Sequence, residues 1–253
     1  MEKLTLQVQG CEVYVYRDPA AACRAVADEI LRLVSSRDSV VLNMAGGSTV
    51  LGVWRALAEE DGLDLTRACI FWGDDHVTEP QAKDNNFALA WPYVQELLER
   101  GALLPQRVHR IPVWNPRARR PLTVEEAQAA AKAFATEIET AGGRFDLTIL
   151  GLSADAHTAS LLPGVDHTVL KSERLVEALA YGDDLRITLT PKAFGLSDRV
   201  IMLVTGAKKS GALFQILTEE LDLQRRPGQL IRLLNALVVA DREAAAPLLE
   251  DLT

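Results

Sequence analysis

The strongest constraint on this chain is a rhythm. Short apolar runs of five or six residues, each closed by a glycine or a knot of polar residues, alternate with longer stretches of helical period. Residues 40–44 (VVLNM), 68–72 (ACIFW) and 199–204 (RVIMLV) are almost continuously apolar, and 146–151 (DLTILG) carries apolar Leu147, Ile149 and Leu150. Strands buried on both faces of a parallel sheet read this way, because neither face meets water. Weaker strand signals lie at 12–16 (EVYVY, near an edge), 107–111 and 237–239, with a pair at 175–179 and 185–190 around the turn Gly182-Asp183-Asp184.

The stretches between carry helix signals. Asp18-Pro19 supplies an N-cap and a proline at the first helical position, and Ala22, Val26, Ile30 and Leu33 then make an apolar stripe to about residue 34. Further helices are predicted over about 50–60 and from Asn86 to 99. Thr123 and Glu126 have capping-box spacing ahead of an Ala-rich helix that runs to about residue 141. Gly206 opens a helix carrying Lys208 and Lys209. Asp241 is read as the cap of a terminal helix containing Ala244 and Ala246. Strands alternating with helices, without repeats or a low-complexity linker, predict one α/β domain over 1–253. It would be doubly wound and Rossmann-like: a mostly parallel sheet, helices on both faces, and small extra strands after the main sheet.

Composition narrows the function. The net charge of −8 and pI near 5.1 argue against a broad nucleic-acid surface. Cys11, Cys23 and Cys69 are few and lack metal-ligand spacing, which suits a reducing cytosol. No cationic segment followed by an apolar one opens the chain, and no run is long enough to cross a bilayer. The expectation is a cytoplasmic protein, monomer or small homo-oligomer, that engages neither nucleic acid nor membrane.

In open α/β sheets ligands bind beyond the carboxyl ends of the strands. Four segments fall there. Gly46-Gly47-Ser48-Thr49 combines glycines with hydroxyls at a helix start, where amides and the helix dipole favour an anion. It is no Walker sequence, and a capped tight turn is the alternative. Asp74-Asp75-His76 follows a buried strand; the acids could orient the histidine or bind a metal, and a structural cap is the rival reading. Adjacent side chains diverge, so only one acid is expected in a pocket. The stretch 145–164 (FDLTILGLSADAHTASLLPG) ends a strand with Ser153, Asp155, His157, Thr158 and Ser160 crowded together. Histidine is the side chain whose unperturbed pKa lies nearest neutral pH, so His157 could take or give a proton there, while Asp155 could be a helix N-cap. The fourth segment is cationic: Arg186, Lys208 and Lys209, with lysines at a helix start where the dipole opposes them. An anion loop, cations and a titratable base together describe a phosphorylated small-molecule site.

These residues resemble the 6-phosphogluconolactonases, within the superfamily that includes glucosamine-6-phosphate deaminase and ribose-5-phosphate isomerase. The resemblance runs nearly end to end. Residues 45–49 (AGGST) look like the family's phosphate loop. Residues 71–76 (FWGDDH), with Asn85-Asn86-Phe87, look like its Asp-Glu-Arg block and following Ser-Asn. Residues 155–164 (DAHTASLLPG) match Asp-Gly-His-Thr-Ala-Ser-Leu-Phe-Pro-Gly, and 186–190 (RITLT) match the Arg-Ile-Thr strand. Gly206 to Lys209 matches Gly-x-x-Lys, and Asp241 with Ala244-Ala245 fits Asp-x-x-Ala-Ala.

The resemblance implies hydrolysis of 6-phosphoglucono-δ-lactone to 6-phosphogluconate in the oxidative pentose phosphate pathway, without metal or organic cofactor. His157 would be the general base on a water, with Asp155 or Asp74 orienting it. Gly46, Gly47, Ser48, Thr49, Arg186 and Lys209 would hold the phosphate, and His76 and Asn86 are further candidate contacts. Deaminases carry His-Ile-Ala-Phe-Asn-Glu where this chain has Ser160-Leu161-Leu162, which favours the lactonase over a phosphosugar deaminase or isomerase. A non-catalytic phosphosugar-binding protein is the third reading. It is motivated by His76 in place of the family arginine and by Ser153 and Ala156 in place of glycines. Arg117, Arg119 and Arg120 in the loop 115–122 are candidates to replace that arginine.

Overall fold

The computed structural model describes residues 2–234 and 236–250. The chain opens with a hairpin, β1 (Leu4–Val8) and β2 (Cys11–Tyr16), then α1 (Pro19–Ser36), β3 (Val40–Met44), α2 (Leu51–Ala58) and β4 (Ala68–Trp72). A short β5 (Asp74–His76) precedes α3 (Asn86–Glu99), β6 (Val108–His109), β7 (Trp114–Asn115), β8 (Arg120–Pro121) and α4 (Val124–Thr140). The second half holds β9 (Leu147–Gly151), α5 (His167–Leu170), β10 (Val176–Tyr181), β11 (Asp184–Leu189), α6 (Pro191–Gly195) and β12 (Val200–Val204). It ends with α7 (Ser210–Thr218), α8 (Leu230–Leu233), β13 (Leu237–Asp241) and α9 (Ala246–Glu250).

Eight strands form the main sheet in the order β1-β2-β13-β12-β9-β3-β4-β6, parallel throughout except for the β1–β2 hairpin. From β3 the chain winds outward through β4 to β6. It then returns to lay β9 against the other side of β3 and winds away through β12 and β13. Right-handed crossovers therefore place the helices of the two halves on opposite faces. In keeping with this, α1 packs on α2 and α2 on α3, while α7 packs on α9. The core is almost wholly aliphatic and aromatic; Trp54 stacks on Trp72 with centroids 5.2 Å apart.

Local signals act as expected. The Asp18 side chain accepts from the Ala21 amide at 2.8 Å, and Thr123 and Glu126 complete a capping box. Other expectations need correction. Strand β1 lies outside every strand signal read above. The segment Asp74-Asp75-His76 is a strand and not a loop, because Gly73 carries the chain out of the main sheet to pair with β11 in a second sheet, β10-β11-β5. The basic segment 115–122 is closed by the small β7–β8 ladder, which pairs Trp114 with Pro121 and Asn115 with Arg120. Asp241 ends a strand and caps a turn, accepting from Ala244; the terminal helix begins only at Ala246.

Candidate active site

The winding direction reverses between β3 and β9. Their carboxyl ends part there and leave a crevice, the usual ligand position in open α/β sheets. A cleft of about 230 Å³ occupies it. The loop after β3 supplies Gly47, Ser48 and Thr49; β5 supplies Asp74 and His76, and α3 supplies Asn86. The loop after β9 supplies His157, β11 supplies Arg186, and the turn before α7 supplies Lys209. Segments far apart in the chain thus meet at one place.

On the anion side, α2 starts without any side-chain cap, so the capped-turn reading of the glycine loop fails. Thr49 instead takes a hydrogen bond from Lys209 Nζ. Among the described residues the amides of Gly47, Ser48 and Thr49 donate to no protein group, which leaves them for an anion at a helix start. Gly46 lies beneath the loop: a Cβ there would stand 2.3 Å from the Asn86 carbonyl oxygen, so only glycine permits this approach. Lys208 is exposed, whereas Lys209 is half-buried and burial lowers the pKa of its ammonium. A partly desolvated cation is a stronger anion partner than a hydrated one.

The pleat of β5 divides its acids. Asp74 and His76, two apart, share the cleft face; Asp75 faces the other way. The Asp75 carboxylate accepts from the amides of His76, Asn86 and Phe87 at 2.8, 2.7 and 3.1 Å, two of them in the first turn of α3. It is the structural cap, and the metal reading of this segment has no geometric basis because its three side chains do not converge. Burial pushes the Asp75 carboxyl up to about 7, against the pull of the three amides. Asp74 is buried in the cleft wall and accepts from Ser160 Oγ at 2.8 Å. Burial raises its pKa too; Ser160, His76, His157 and Arg186 pull the other way. Asn86 holds the Asp74 carbonyl at 3.1 Å.

The loop carrying His157 is a tight turn. Ala156 N donates to Ser153 O, and Ser153 N donates to His157 O. Ala156 stands at φ +66°, a conformation that strains any residue with a Cβ, whereas Ser153 does not. No helix follows Asp155, which is therefore no helix cap. Its Oδ1 lies 2.7 Å from His157 Nδ1, out of line for a hydrogen bond, so the contact is electrostatic. Nδ1 is buried, and the exposed quarter of the ring lies away from it, toward the cleft.

Arg117, Arg119 and Arg120 do not line the cleft. Arg120 instead pairs with Glu126 at the start of α4. Several supporting roles escaped the sequence reading, which named Ser160 only among the crowded polar residues. Asp184 holds Arg186 through Nε at 2.7 Å; its signal was visible, since it lies two residues away on the same strand face. Ser160 anchors Asp74, and Tyr181 donates to the Ser160 carbonyl at 2.8 Å. Gly228, in the 3₁₀ turn Pro227–Gln229, donates to the Ala156 carbonyl at 2.8 Å. No local signal marks it.

Residues 18–239 match the family model described as glucosamine-6-phosphate isomerases/6-phosphogluconolactonase. A 6-phosphogluconolactonase of Nostoc is 31% identical over 205 residues, covering 79% of this chain and 80% of that protein. One of Synechocystis is 29% identical over 215 residues, covering 82% and 83%. The crystal structure of 6-phosphogluconolactonase from Thermotoga maritima superposes with a TM-score of 0.71 at 26% identity, covering 90% of this chain and 98% of that one.

Proposed function

The chain belongs to the glucosamine-6-phosphate isomerase/6-phosphogluconolactonase family, and from that premise we propose that it hydrolyses 6-phosphoglucono-δ-lactone to 6-phosphogluconate. The observation that carries this is the pairing of two ends in one small cleft. At one end are Lys209, Thr49 and free amides suited to a phosphate; at the other is His157, backed by Asp155.

The phosphate sits on the amides and hydroxyls of residues 47–49, with Lys209 and Arg186 as its cations. The cleft-facing nitrogen of His157 takes a proton from water as the water oxygen bonds to the lactone carbonyl carbon. Asp155 stabilises the imidazolium that results. As the tetrahedral adduct collapses, the bond from carbonyl carbon to ring oxygen breaks, and the imidazolium returns the proton to that oxygen. Asp74 lies within the field of His157 and orients the water or the ring. The scheme uses no metal and no organic cofactor. A positioned base typically supplies about 10²–10⁴-fold, and the lactone is already reactive.

Asp74 is the only carboxylate lining the cleft among the described residues, and Ser160 engages it. Positions 160–162 offer no acid for the proton shuttling that a sugar isomerisation needs.

The test is lactone decay followed by NMR on freshly generated substrate. The wild type should open it far faster than background, and His157→Ala should lose about 10²-fold or more. A wild type at the spontaneous rate refutes the function. A fully active His157→Ala protein refutes only the assignment of the base.

A further inference from the structure

The second sheet groups three ionisable side chains beside the cleft, of which His76 and Arg186 line it and Asp184 stands behind them. His76 on β5 and Arg186 on β11 oppose each other directly in the antiparallel register. Asp184 bridges them: its Oδ2 accepts from Arg186 Nε at 2.7 Å, and its Oδ1 lies 3.1 Å from His76 Nδ1. Burial raises the Asp184 carboxyl, but the Arg186 guanidinium and His76 outweigh burial and hold it below its usual range. An ionised carboxylate can only accept, so Nδ1 of His76 carries its hydrogen and Nε2 is the nitrogen left for a ligand.

The charges around His76 come from three elements. From β11 they are Asp184 and Arg186. From the loop before α3 comes Asp84, with Oδ2 3.9 Å from Nδ1. From its own strand they are Asp74, which faces the cleft and also feels His157, and Asp75, which faces α3. Imidazole changes charge in the neutral range. Without a proton, Nε2 is an acceptor and repels an anion's oxygen. With one, it is a charged donor beside Arg186 and binds that oxygen.

We propose that His76 couples anion binding to proton uptake: an anion seated beside Arg186 binds the form of the protein in which His76 is protonated. This rests on the reading of the cleft as a phosphate site, and it makes His76 a contact whose strength falls as pH rises.

Sulfate is the probe, since it remains a dianion across the neutral range. Its affinity is measured by calorimetry at pH 6, 7 and 8 for the wild type, His76→Gln and His76→Arg. Any contribution from His157 is common to all three. Wild-type affinity should fall by about tenfold between pH 6 and 8, the order expected of one added charge in a partly screened site. His76→Gln should bind weakly and lose most of that dependence, and His76→Arg should bind at both extremes. The coupling is overturned if His76→Gln follows the wild-type pH dependence, or if wild-type affinity does not change with pH. Failure of the functional reading is separable: a wild type that shows the coupling yet opens no lactone would refute the lactonase and leave the coupling standing.

Discussion

Gly228 is the residue where a single methyl group should report on catalytic geometry. It lies behind the loop that carries His157. A Cβ there would stand 2.7 Å from Leu152 Cδ1, 2.9 Å from Ala156 O and 3.3 Å from Ile216 Cγ2. The leucine can rotate away, but the carbonyl can move only with its backbone, and Ala156 immediately precedes His157. Ordinary contact begins at 3.4 Å, so the carbonyl must recede by 0.5 Å (3.4 − 2.9). Overpacking of this kind costs about 1–3 kcal/mol, and weakening the Gly228–Ala156 hydrogen bond adds about 1. Gly228→Ala should therefore melt roughly 5–12 °C lower while remaining folded. If a 1 Å misplacement costs about 10²-fold, half that displacement costs about tenfold in kcat. KM should change little, because Thr49 and Lys209 sit on other loops. Lactone decay over a range of substrate concentrations, beside thermal melts, checks both. Gly211→Ala is the control, since a Cβ there meets nothing within 4 Å. A Gly228→Ala protein that melts low but keeps its kcat would refute the reasoning, showing that the contact holds the fold and not the base.

Two further outcomes concern stability. Ala156 adopts φ +66°, which costs a residue with a Cβ about 1–2 kcal/mol, while glycine loses about 0.5–1 more in chain entropy and gives up a buried methyl worth about 0.8. The relief of strain therefore offsets the losses, and Ala156→Gly should melt within about two degrees of the wild type; a fall of more than about three degrees would show that the turn is not strained there. The Asp75 carboxyl is pushed up to about 7 by burial, so the folded protein holds a proton that the unfolded chain releases from about pH 4. That contribution is fully present below the unfolded pKa and is lost as pH rises through 7. The melting temperature should fall between pH 5 and 8. Asp75→Asn, which cannot titrate, should lose stability at pH 5, where it gives up an amide acceptor, and show a flatter slope. An unchanged slope would refute the assignment.

Much of the site could be read from the sequence because its parts are short loops after strands. The glycine loop and Asp155-His157 each follow an apolar run, and the sheet brings such ends together, whereas Arg186 lies near the start of β11 and reaches the cleft through the second sheet. The strand pleat, period two, decided that Asp74 and Asp75 would part company. The reading failed where a residue's role is set by a distant partner. Asp74-Asp75-His76 is too short to announce itself as a strand and becomes one only beside β11. Arg120 is drawn to Glu126 and away from the cleft.

By itself the sequence determined what forces acting over a few residues can determine. Apolar periodicity marked the buried strands, Asp18 and Thr123 marked helix starts by bonding amides three residues on, and the glycines marked where backbone must turn or be approached. The tertiary structure alone decided the order of the strands, which of two adjacent lysines enters the cleft, that Asp184 joins Arg186 to His76, and that Gly228 braces the loop carrying His157. Those contacts join residues separated by long stretches of chain. Their energies depend on distances that exist only once the sheet has closed and water has been expelled from between its layers.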